Sequence, residues 1–112
     1  MAYNEALAAR VRDELSGYAP FEERKMFGGL ALMVNTHMAC GILGDDLMVR
    51  VGKLGHQAAI ADGAREMDFT GRPMRGLVMV DAPLLTDEAV LARWVQRAAE
   101  FALSDPPKSA KR

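Results

Sequence analysis

Three short apolar runs in close succession constrain this chain more than anything else in it. "GLALMVN", "HMACGIL" and "DLMVRV" fill residues 29–51 and are separated only by Asn-Thr and Gly-Asp-Asp. Both separators are good turn chemistry, and runs of this length and composition read as strands. A parallel connection needs a dozen or more residues, usually a helix, so links this short impose an antiparallel meander. Alternation along the first run sets Leu30, Leu32 and Val34 on one side and Ala31 and Met33 on the other. Met48 and Met79 alternate in the same way with Val49, Val78 and Val80. The hairpin register stays open, because a two-residue Asn-Thr turn and a three-residue loop through His37 pair opposite parities. In either register the sheet is apolar on both sides, and an exposed, methionine-bearing face would suit contact with another subunit.

The flanks supply helices to cover such a sheet. Leu7, Val11, Leu15 and Tyr18 recur at helical spacing, with Asn4 as N-cap and Gly17 at the stop. A second helix is expected over about Leu54 to Asp62, ending at Gly63. "REMDF" and "RGLVMVD" then read as two strands joined by "TGRP". The last helix has the clearest pattern. Thr86 is placed as its N-cap, Asp87 and Glu88 in its first turn, and Val90, Leu91, Trp94, Val95, Ala98, Phe101 and Ala102 form an apolar stripe. The expectation is an α+β fold: an antiparallel sheet of about five strands with packed helices, in the order α-β(3)-α-β(2)-α. Residues 1–105 form one domain, and residues 106–112 a basic, disordered tail.

Charge bears on partners. Formal net charge is −1, from 14 cations and 15 acids. Lys108, Lys111 and Arg112 lie in the tail, which leaves 11 cations against those 15 acids in the body. A nucleic-acid binder normally presents a clustered basic face, so this balance disfavours that class. No apolar stretch approaches the roughly 20 residues needed to cross a bilayer, and the charged N-terminus is no secretory signal. One cysteine rules out an intramolecular disulfide. The expectation is a cytoplasmic protein without membrane association.

Motifs for chemistry are weak. "FGGLALMV" lacks the Lys-Ser/Thr pair of a phosphate loop and runs into a strand, so Gly28 and Gly29 read as a bend or a close approach. Arg24 and Lys25 precede those glycines, and Arg72 and Arg75 flank "RPMR"; together they form the candidate contact set for an anion or nucleic acid. Cys40 sits in an apolar strand, where a thiol is usually core. His37 lies three residues away and is expected on the opposite face. His56 reaches Cys40 only through the fold. No metal site, cofactor or catalytic residue is expected.

Taken together, "RKMFGGLALMVNTHMACGI", "DDLMVRVG", "MDFTGRPMRGLVMVD" and "WVQRAAEFALSDPP" resemble the N-terminal domain of the TfoX/Sxy proteins, over about Asn4 to Pro107. Met26, Phe27, Gly28, Gly29, Gly71, Arg72, Pro73 and Met74 carry that signature, in roles expected to be structural. The resemblance implies the same element order, a layout like that of secretion-chaperone domains, and frequent self-association. Longer members add a C-terminal helical domain, so a single-domain member is expected. The family is named for regulators of natural competence that act with transcription machinery. The functional expectation is therefore a non-enzymatic, homodimeric protein-interaction module in transcriptional regulation. Two alternatives stand beside it: nucleic-acid binding through the Arg/Lys loops, and a small-molecule or anion site lined by Cys40 or His56.

Overall fold

A computed structural model describes residues 3–26, 28–67 and 76–104. Helix α1 (Glu5–Ser16) is followed by strands β1 (Glu22–Met26), β2 (Gly29–Val34), β3 (His37–Leu43) and β4 (Asp46–Arg50). Then come α2 (Gly52–Ala61), the two-residue β5 (Arg65–Glu66), β6 (Leu77–Val80), a 3₁₀ turn (Ala82–Thr86) and α3 (Glu88–Ser104). The pairings between these strands are all antiparallel, in the order β1-β2-β3-β4-β6-β5. The α+β class and the meander are as the sequence implies.

The sheet has six strands, one more than expected. The addition is β1, whose sequence "EERKM" has no apolar alternation. An edge strand with solvent-exposed side chains has no face to bury, so the usual period-two signal is missing. Its pairing with β2 through a two-residue turn makes it a strand all the same.

The β2–β3 hairpin resolves the parity question by a bulge. Asn35 and Thr36 form a two-residue turn, both at positive φ (56° and 68°), so Val34 faces His37. Continued without interruption, that register would send His37, Ala39 and Gly41 toward the core and Cys40 and Ile42 away from it. The register instead shifts between Leu32 and Met33, leaving Ala39 as the extra residue, and Leu32 pairs with Cys40 and Leu30 with Ile42. One bulge thus returns the larger apolar side chains to the buried face. It also corrects the expected placing of His37 opposite Cys40: both now oppose residues of the core-facing set.

Helices α1 and α3 cover that face. Leu7, Ala8, Val11 and Leu15 of α1 and Leu91, Trp94, Val95, Ala98 and Ala102 of α3 pack with Leu30, Leu32, Val34, Ile42, Leu47, Val49, Val78 and Val80. Each large aliphatic side chain so buried contributes roughly 1.5–3 kcal/mol. Asn4 caps α1 as expected: its Oδ1 accepts from the Leu7 N–H at 3.0 Å, and its amide donates to Asp45. Tyr18 falls beyond the end of α1 and is exposed. Asp87, not Thr86, closes the start of α3, with its Oδ1 accepting from the Ala89 N–H at 2.9 Å. Thr86 belongs to the preceding 3₁₀ turn and donates its hydroxyl to the Pro83 carbonyl.

The opposite sheet face is not an open methionine surface. Met48 is 0 % exposed, and Met67 and Met79 are also buried, with Met38, Leu43 and Leu77 packed against them. Gly41 pairs with Met48, and a Cβ built on Gly41 would lie 3.0 Å from Met48 Cε. Met48 therefore occupies space that a side chain at position 41 would need. The expected subunit contact through Met48 and Met79 is replaced by a second, smaller core within the chain.

Candidate functional site

The chemically interesting residues divide into those the fold uses internally and those it leaves at the surface. Cys40 belongs to the first group. It is fully buried in the main core, and desolvation pushes its thiol up to about 12 from an ordinary 9.0. A thiolate is the reactive form, so this sulfur is inert in the folded chain. A thiol reagent is expected to leave native protein unlabelled at neutral pH and to label Cys40 fully in denaturant. Labelling as fast as that of a free thiol would contradict the burial. The raised value also sets a pH dependence. Both states hold the proton below pH 9, and above it only the unfolded chain releases it, so this group withdraws stability as pH rises toward about 12.

His56 is the second internal group and the one buried polar side chain among the described residues. Its Nδ1 accepts from the Gly76 N–H at 3.0 Å, and its Nε2 lies 2.8 Å from Glu66 Oε1. A ring nitrogen that accepts carries no proton, so the other nitrogen is the N–H that donates to Glu66. The imidazole therefore ties α2 to β5 and to the residue just before β6. Sequence reading placed His56 near the start of this helix without a partner. Glu66 and Gly76 stand ten and twenty residues further on, and only the crossover brings them together. No group of three His, Cys, Asp or Glu side chains among the described residues is placed to hold a metal ion.

The other charges form pairs between elements. Arg12 grips Glu23 with Nε at 2.5 Å and Nη2 at 3.1 Å, which holds its guanidinium above its ordinary value and ties α1 to β1. Arg65 reaches Asp81 and Asp46, while Asp46 also accepts from the Ala82 N–H at 2.9 Å. Arg97 lies over the Trp94 ring and pairs with Asp62 at 2.8 Å, linking α3 to the end of α2.

Of the candidate anion set, Arg24 and Lys25 fall within the described residues. Arg24 pairs with Ala31 and Lys25 with Leu30, so strand alternation sends these neighbours to opposite faces of β1. Arg24 lines a surface cleft that also contains Glu22, Phe21, Met33 and Asn35, so the cleft carries both signs of charge. Arg72 and Arg75, and the signature residues Phe27, Gly71, Pro73 and Met74, lie outside the described residues, as does the tail 106–112. Gly28 sits at positive φ (73°) in the β1–β2 turn, and Gly29 lies hard against β3. Both glycines serve the strand geometry. Met26 closes the β1 ladder opposite Gly29.

Two surfaces stand without a partner among the described residues. On α2, Leu54 is 103 % exposed, and Ala58 and Ala61 follow it on the same side at i+4 and i+7, both exposed. On β1, Glu22, Arg24 and Lys25 are exposed and make no ion pair among the described residues, and nothing among them pairs with the outer edge of the strand. Sequence reading missed both. A lone Leu54 in a helix of small residues gives no amphipathic signal, and "EERKM" has no strand periodicity.

Among the described residues, no helix is long and apolar enough to cross a membrane. Comparison with curated proteins returns no match. Comparison with family profiles matches the TfoX N-terminal domain over residues 13–102 of the 112, from within α1 to near the end of α3 and across every strand. With that span, and with the helix–meander–helix–hairpin–helix order on which it lies, the chain belongs to the TfoX N-terminal domain family.

Proposed function

We propose that this chain is a non-enzymatic, self-associating protein-interaction module that works in transcriptional regulation of the competence type. The observation that carries the reading is the outer edge of β1, which no strand among the described residues pairs with and which is a ready template for a second chain. Leu54, exposed on α2 with Ala58 and Ala61 on the same side, offers a second and smaller contact surface. The groups that a reactive or ligand-binding site would use, Cys40 and His56, are taken up by the core and by the α2–β5–β6 junction. The open outer edge of β1 supports self-association, and membership of the family supports the regulatory setting.

Light scattering after size exclusion tests the assembly: at high micromolar concentration the mass should be twice the 12.2 kDa of the chain. A monomer at that concentration would overturn self-association. Leu54→Lys is expected to leave both the fold and this mass unchanged while abolishing capture of protein partners from the native host. Unchanged capture would remove α2 as the docking surface.

A further inference from the structure

The open edge of β1 specifies its own partner. Residues 22–25 read Glu-Glu-Arg-Lys, all exposed, at one end of the six-stranded sheet. Such an edge offers a row of backbone donors and acceptors, and charges along it usually keep arbitrary strands away. Here the charges are unevenly satisfied. Arg10, Arg12, Arg65 and Arg97 each pair with a carboxylate of their own chain. Glu22 and Arg24 share the β1 face opposite the helices, being paired with Met33 and Ala31, yet neither makes an ion pair among the described residues.

We propose that β1 adds antiparallel to β1 of a second copy, about a two-fold axis that passes beside Glu23. This rests on the self-association proposed above and names its surface. Two antiparallel edge strands related by a two-fold place one residue opposite its own copy, and residues equally far on either side face each other. With Glu23 on the axis, Glu22 of each copy falls opposite Arg24 of the other, and two opposite-charge cross-strand pairs form on one face. The residue on the axis meets its like, which would repel if it were bare. Glu23 is not bare: each copy holds it in the two-point grip of its own Arg12. The neighbouring register also forms two opposite-charge pairs, Glu23 with Lys25. But it puts Arg24 on the axis against its own copy, where no carboxylate among the described residues neutralises it, and it makes Lys25 compete with Arg12 for Glu23. Charge thus selects one register, and the same pattern that discourages unrelated strands accepts a second copy.

Charge reversal at the edge tests the pairing, with circular dichroism to establish that these exposed variants fold. Arg24→Glu and Glu22→Arg should each weaken the dimer by about tenfold or more, since both symmetric pairs become like-charged. The double variant Glu22→Arg/Arg24→Glu should regain the wild-type mass, and it should not co-assemble with wild-type chains. Lys25→Glu should leave the dimer intact, because Lys25 faces no carboxylate in this register. A dimer that ignores both single reversals would overturn the β1 proposal and leave self-association standing. A dimer broken by Lys25→Glu but not by Arg24→Glu would overturn the register. A wild-type monomer would overturn the self-association itself.

Discussion

Gly29→Ala is expected to destabilise the domain by about 3 kcal/mol, a cost set by backbone crowding. A Cβ at this position runs into the carbonyl oxygen of Ile42 and lies 2.8 Å from Leu43 Cδ2. The carbonyl belongs to the β3 backbone, so no side-chain rotation relieves the clash and the β2–β3 ladder has to move. Neighbouring Gly28 provides the control. It sits at positive φ with nothing within 4 Å of its missing Cβ. Alanine there carries only the conformational penalty of about 1 kcal/mol. Thermal or urea unfolding of the two variants separates the mechanisms, because each kcal/mol moves the midpoint by about 4–8 °C in a domain of this size. Equal losses would show that the close approach at Gly29 is not what demands a glycine.

Met48→Ala is expected to cost about 2–4 kcal/mol, by the same amount at low and high protein concentration. Met48 is fully buried within a single chain, between Met67, Met79 and the bare backbone of Gly41. Truncation leaves a cavity lined by Met38, Leu43 and Leu77, whose flexible side chains can close part of it. Had this face been a subunit contact, the loss would appear mainly as a shift in assembly, and the dilute chain would keep its stability. A concentration-dependent loss would therefore restore the exposed methionine face that alternation alone suggests.

These two positions show how legible the chain was. The glycine pair is visible in the sequence, and its strand context argues against a phosphate loop. Which glycine is needed for its φ and which for its closeness depends on the neighbouring backbone, which no single segment reveals. Alternation likewise places Met48 opposite Val49 in orientation, but burial depends on what covers the face, and that is a matter of contacts between distant segments. His56 follows the same rule: its role is set by Glu66 and Gly76, which the chain delivers from the far side of a crossover.

The sequence by itself determined the antiparallel meander, the helices at both ends and the capping of α1 by Asn4. These depend on turn chemistry, short connections and helical period, all of which act within a few residues. Cys40 as a core thiol was legible for the same reason. Only the tertiary structure decided the hairpin register, the existence of β1, the second core around Met48, and the separation of Arg24 from Lys25. A strand at the edge is made by its neighbour and not by its own pattern. A bulge of one residue reverses every face beyond it. Both are settled by pairing between strands, where the free energy comes from surfaces that meet only after the chain has folded.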